Sequence, residues 1–115
     1  MQPYSNLLVW QKAHALAVRI HETTERMARR DRSGAVAQAR RSALSIPSNI
    51  AEGCGRETNR EFARFLHIAV GSSNELEYQL EYMSAIKVPS ARDSEALRER
   101  VREVRRMLYG LLKKL

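Results

Sequence analysis

SIPSNIAEGCGRE, Ser45–Glu57, places a proline, two glycines and the only cysteine of the chain within nine residues, in the middle of a sequence that otherwise reads as helix. Arg40, Arg41, Arg56, Arg60 and Arg64 flank it. The stretch is either an active-site loop or a bend in a scaffold. Pro47 has no amide proton and its ring collides with the carbonyl one turn earlier, so inside a helix it forces a kink costing about 3 kcal/mol unless packing compensates. Ser45, Ser48 and Asn49 are placed to hydrogen-bond the freed backbone groups. Gly53 and Gly55 are then expected to take positive φ and end the helix. On this reading the stretch is a bent, capped helix end.

The catalytic alternative lacks partners. Cys54 as a nucleophile needs a base, and His14, His21 and His67 are spread over other segments with no sign of convergence. His14 and His21 share a helix face, yet no third ligand at metal-site spacing accompanies them. Gly53-Cys54-Gly55 lacks the GxxxxGK[ST] spacing and the preceding strand of a phosphate cradle. Glu52, Glu57 and Glu61 read as helix-capping or arginine-pairing groups. The expectation is a non-enzyme with no cofactor and no bound metal.

Outward from this stretch, apolar residues recur at steps of three and four. The first segment runs from about Leu7 to Arg30, with Asn6 as N-cap, Val9, Ala13, Leu16, Ile20, Thr24 and Met27 on its inner stripe, and the polar RRDRSG run as its stop. The second starts near Gly34, with Val36, Ala39, Ala43, Leu44, Ile46 and Ile50 as buried candidates. Thr58-Asn59-Arg60-Glu61 has capping-box spacing and opens a third segment, in which Phe62, Phe65, Leu66, Leu76, Leu80 and Met83 point inward as far as about Lys87. Val88-Pro89-Ser90 ends it, and Ser90-Ala91-Arg92-Asp93 begins a fourth, carried by Leu97, Val101, Val104, Leu108, Leu111 and Leu115. Ala69, Gly71, Ser72 and Ser73 make the centre of the third helix narrow, either for tight packing inside the chain or for a contact between subunits. The pattern predicts an all-α, antiparallel up-and-down four-helix bundle, with its second helix kinked at Pro47, as one domain over residues 1–115.

Composition agrees. Of the 115 residues, 43% are hydrophobic and 29% charged, a balance that suits a folded chain and argues against disorder. The N-terminal MQPYSNLLVWQKAHALA lacks a basic start and a long apolar run, and no window approaches a membrane span. A single cysteine fits a reducing compartment, so a cytoplasmic protein without membrane contact is expected. The net charge of +7 is uneven: residues 7–32 carry six basic and three acidic side chains, 91–115 eight and four, and 58–89 three and four. A polyanionic partner is one reading of that excess and a solvated surface the other.

The runs LLVWQKAHALA, RRSALSIPSNIAEGCGR and EFARFLHIAVGSSNELEYQL closely resemble the four-helix-bundle family of proteins encoded within intervening sequences of 23S ribosomal RNA genes. That family is related to the accessory variability determinant of diversity-generating retroelements. The resemblance spans most of the first 85 residues, while the last segment matches only in its basic, amphipathic character. It implies a cytosolic protomer that assembles into a homopentamer, and it implies RNA or DNA binding, with a reverse transcriptase or ribosomal RNA as partner. Two departures fall in the first connection: Met27-Ala28 stands where family members commonly have Phe-Pro, and Ser33-Gly34-Ala35 where they have Tyr-Gly-Leu.

Two functions remain open. A nucleic-acid-binding oligomer would use Arg40, Arg41, Arg56, Arg60 and Arg64 beside the bend and a stripe of Arg98, Arg102, Arg105 and Arg106 on the last helix, all acting through phosphates. Arg40 and Arg41 are expected to serve as surface charge without supporting the fold. With both phenylalanines expected to be buried, base stacking is not indicated. In a protein-interaction or scaffolding module with no nucleic-acid role, the same arginines pair with Glu22, Glu25, Glu95, Glu99 and Glu103.

Overall fold

The computed structural model describes residues 3–88 and 91–115. After a 3-10 turn at Tyr4–Asn6 come α1 (Leu8–Thr23), a single-turn α2 (Glu25–Ala28), α3 (Ala35–Cys54), α4 (Asn59–Ala85) and α5 (Ala91–Leu112). No strand occurs among these residues. Of the four long helices, α1 packs on α3 and α5, and α4 packs on α3 and α5, so the connectivity is that of an up-and-down four-helix bundle. Its 43 × 21 × 19 Å envelope has the length of α4, at about 1.5 Å per residue.

The core follows the predicted stripes. Leu16 and Ile20 of α1, Ile46 and Ile50 of α3, Leu66, Leu76, Leu80 and Met83 of α4, and Val101, Val104 and Leu108 of α5 are fully buried. The prediction erred at the edges. Leu44 is 62% exposed, because the α3 stripe passes through Ala43 and Ile46 and leaves Leu44 on the outer face. Leu115 is exposed, and Phe62 and Phe65 are only half-buried.

Three local expectations are corrected. Asn6 does not cap α1: it closes the 3-10 turn, and α1 starts after an extended Leu7 with no side-chain cap. The first helix does not run on to Arg30 but stops at Thr24, whose φ of −97° and ψ of 3° leave the helical region. Gly53 and Gly55 do not adopt positive φ; Gly53 lies inside α3 and Gly55 has φ −83°. The need for glycine at 53 is close approach, since a Cβ there would stand 2.8 Å from Phe62 Cδ1 and 3.0 Å from Phe65 Cβ. The positive φ values fall instead at Gly34 (78°), before α3, and at Lys87 (69°), after α4.

α3 continues as helix through the buried Pro47. Around it Ser48 Oγ donates to Leu44 O at 2.8 Å and Asn49 Nδ2 to Ser45 O at 2.8 Å, each the carbonyl four residues back, whereas the carbonyl that Pro47 leaves without its helical donor is that of Ala43. The RRDRSG run is a cap as well as a stop. Asp31 Oδ2 accepts from Val36 N at 2.8 Å and Ser33 Oγ from Ala35 N at 3.1 Å, satisfying two otherwise free amides at the start of α3. The hydrogen bond from the Ser33 hydroxyl, with that from the Val36 amide, holds the Asp31 carboxyl below its ordinary value.

Thr58 caps α4, its Oγ1 accepting from Glu61 N at 3.1 Å, but the return bond from Thr58 N to the Glu61 carboxylate that would complete a capping box does not form. At the far end of α4, Val88 N bonds Met83 O and Lys87 N bonds Ser84 O, the paired closure that ends a helix through one left-handed residue. Pro89 and Ser90, read from sequence as stop and start signals, lie outside the described residues. Ser94 Oγ, fully buried, donates to Leu80 O at 3.0 Å and pins the start of α5 to α4. In the narrow centre of α4, Ala69, Ser72 and Ser73 pack inside the chain, with Ser72 Oγ 2.8 Å from Ser45 Oγ, while Gly71 faces out with open space beyond its Cα hydrogens.

Candidate nucleic-acid interface

The nine arginines nominated from sequence do not share one surface. Arg40 and Arg41 lie early on α3, whereas Arg56 sits just beyond its far end and Arg60 and Arg64 on the first two turns of α4, with the end of α3 roughly 20 Å from Arg41 at about 1.5 Å per residue. Arg40 is turned inward: Nε donates to Thr24 Oγ1 at 2.9 Å, and Nη2 to His21 O at 2.8 Å and Glu25 Oε2 at 3.3 Å. Arg41, its neighbour, is exposed. At the turn, Arg56 Nη2 meets Glu52 Oε1 at 2.7 Å, and the Arg56 and Arg64 guanidiniums stand 4.8 and 5.4 Å from the centre of the Phe65 ring. Arg60 is exposed beside them.

The α5 stripe is mostly neutralised. Arg102 reaches Glu77 at 2.9 Å, Glu95 at 3.1 Å and Glu99 at 2.8 Å; Arg105 reaches Glu77 at 2.7 Å and Asn74 Oδ1 at 3.0 Å; Arg98 reaches Glu95 at 2.7 Å. Burial alone would raise the Glu77 carboxyl, but the hydrogen bonds and charges of Arg105 and Arg102 outweigh it and hold the group below its usual value. The Arg102 hydrogen bond lowers Glu95 likewise, and Glu95, Glu99 and Glu77 together raise Arg102. These contacts staple α5 to α4 and leave little net charge for a ligand. Of the predicted stripe, Arg106 alone is exposed with no ion pair among the described residues.

The densest unpaired positive charge lies elsewhere. Arg26, Arg29 and Arg30 line an open cleft of about 600 Å³ with Glu25, and Arg32 follows on the same connection. All four arginines are exposed, and none is in an ion pair among the described residues. The one carboxylate in the cleft, Glu25, is shared with His21 at 3.2 Å and Arg40. Four closely spaced guanidiniums, with two carboxylates near them that are both engaged elsewhere, Glu25 with His21 and Arg40 and Asp31 at the start of α3, can bind several phosphate oxygens, and no water-excluding pocket is needed.

A family model described as 23S rRNA-intervening sequence protein matches residues 5–110. The chain belongs to the 23S rRNA-intervening sequence protein family. The bundle is also similar to the crystal structure of a protein of unknown function from the S23 ribosomal protein family of Bacteroides thetaiotaomicron, with 26% identity and a TM-score of 0.83 over 92% of this chain and 99% of that one. No curated protein matches the chain.

In this member of the 23S rRNA-intervening sequence protein family, Cys54 is buried and free, and burial pushes its thiol up, away from the thiolate a nucleophile requires. His14 stacks on Trp10 at 5.0 Å, and His21 faces Glu25. No group of three His, Cys, Asp or Glu side chains suited to a metal ion occurs among the described residues. Among the described residues no helix is long and apolar enough to cross a membrane. From sequence the polar RRDRSG run reads as a helix terminator, which hides the Arg26–Arg32 cluster. Its signal was present: four arginines in seven residues with one aspartate, and that aspartate is consumed in capping α3.

Proposed function

We propose that this chain is a non-catalytic, homo-oligomeric helical bundle that binds nucleic acid through phosphates, with the Arg26, Arg29, Arg30 and Arg32 cluster as its principal contact and Arg41, Arg60, Arg64 and Arg106 as peripheral ones. The observation that carries this reading is the convergence of three unpaired arginines on one cleft in a chain of net charge +7. Each phosphate contact is weak and screened by salt. Assembly, a pentamer by family resemblance, would present the same cluster several times to one strand and raise avidity without new contacts. Leu44, exposed on α3, and Gly71, open on the outer side of α4, are positions that subunit association could cover. RNA is the first polyanion to test, given the ribosomal RNA genes for which the family is named.

A protein-scaffolding role is the second reading, favoured by one observation: the arginines of α5 are already matched to Glu77, Glu95 and Glu99. Titration of RNA and DNA binding with salt separates the two. Phosphate binding predicts affinity at about 50 mM salt that falls steeply as salt rises, and Arg29→Glu with Arg30→Glu should remove most of it. Absence of binding at that salt, with sedimentation showing an intact assembly, would leave the scaffold reading.

A further inference from the structure

Beside the arginine cluster lies a concavity of different chemistry. It is open to solvent, has a volume of about 300 Å³, and is walled on one side by Ser33, Gly34 and Ala35, where the connection enters α3, and on the other by Tyr78, Gln79 and Tyr82 of α4, with Gln38 also lining it. Tyr78 is 62% and Tyr82 43% exposed; they are one helical turn apart, with ring centroids separated by 6.5 Å and planes tilted by 42°. No charged side chain lines the space. Arg32, which is exposed, precedes Ser33 in the chain, and the Asp31 carboxylate accepts a hydrogen bond from the Ser33 hydroxyl behind that wall.

We propose that this concavity is a nucleobase-binding site, in which Tyr78 and Tyr82 stack a base extruded from a single strand while Arg29, Arg30 and Arg32 take the adjoining phosphates. The proposal rests on the phosphate-binding reading above and assigns it a strand preference. A volume near 300 Å³ is at the small end for ligand sites and suits one planar heterocycle. Tyrosine faces are sequence-tolerant platforms for bases. The two glutamine amides are planar groups with a donor and an acceptor side by side, the pattern a base edge presents in return. Gln79 Oε1 is buried without a hydrogen-bond partner, a costly state for an amide oxygen. Gly34 contributes bare backbone to the wall, with no atom within 4 Å of where a Cβ would stand, so a flat ring meets no side chain there.

The test uses the full chain and a single-stranded oligoribonucleotide of about 12 nucleotides carrying 2-aminopurine, beside a duplex of the same sequence, at about 50 mM salt. Wild-type protein should quench the 2-aminopurine in the single strand. Tyr78→Ala with Tyr82→Ala should weaken single-strand binding about tenfold or more while leaving duplex binding unchanged. Tyr78→Phe with Tyr82→Phe, which keeps the stacking faces, should bind as wild type. Unquenched 2-aminopurine bound by wild-type protein, or alanine variants that bind the single strand normally, would overturn the pocket and leave phosphate binding standing. If neither nucleic acid binds wild-type protein, both readings fall together. A change in sedimentation on alanine substitution would assign the tyrosines to a contact between copies of the chain and overturn the proposal.

Discussion

Arg40 Nε, on the second turn of α3, donates to the hydroxyl of Thr24 at 2.9 Å, at the residue where α1 gives way to α2. That hydroxyl in turn donates to Ile20 O at 2.7 Å, and Arg40 Nη2 takes His21 O, the carbonyl a continuous helix would offer to residue 25. A side chain inserted into the helical ladder is a recognised cause of a break, and this one turns the chain toward the arginine cluster. The Arg40 side chain is only 23% exposed. Arg40→Ala should therefore cost about 1.5–3 kcal/mol in denaturant unfolding, whereas Arg41→Ala should stay within about 0.5 kcal/mol. Charge reversal at Arg41 reports on ligand binding; at Arg40 it reports first on the fold.

The Glu77 contacts with Arg102 and Arg105 bind α4 to α5 and should make stability fall in acid. The Glu77 carboxyl, like that of Asp31, sits below its ordinary value in the folded chain. Such groups contribute fully above their unfolded pKa, about 4, and the contribution is lost as pH drops through the lower folded value. Thermal melts should be flat toward neutrality and decline below about pH 4. Glu77→Gln should lower stability by about 1–2 kcal/mol at pH 7 and by much less at pH 3. An equal loss at both pH values would show that the carboxylate charge is not what matters there.

Gly53→Ala separates close packing from backbone freedom. Alanine favours a helix by about 1 kcal/mol over glycine, yet its methyl would stand 2.8 Å from Phe62 Cδ1, and overpacking costs about 1–3 kcal/mol. A net loss of about 1 kcal/mol is expected on chemical denaturation. A gain in stability would show that the rings of Phe62 and Phe65 yield freely.

Lys87 holds a φ of 69° to close the end of α4. A residue with a Cβ is disfavoured in that region by about 1–2 kcal/mol, and glycine is not. Lys87→Gly should raise stability by about 1 kcal/mol, less than the full difference because glycine also gains freedom in the unfolded chain. Lys87→Ala, with the lysine charge gone but the strain retained, should show no such gain.

The spacing of apolar residues by itself determined four amphipathic helices and their order, because a stripe at steps of three and four has only one way to bury its face in a short chain: Leu16, Ile50, Leu66 and Val101 were all legible as core. The Thr58 cap was equally legible, being a matter of residues three apart. Local pattern could not show where α1 would end, since the break at Thr24 depends on an arginine sixteen positions away. Nor could it show why position 53 requires glycine, which Phe62 and Phe65 decide from the neighbouring helix. The same holds for the arginines. Sequence counts them, but only the packing of α4 on α5 determines that Arg102 and Arg105 face Glu77 while Arg26, Arg29 and Arg30 face an open cleft. Charge at a surface is set by which oppositely charged groups tertiary packing brings within reach, and that distance is not written in the order of residues.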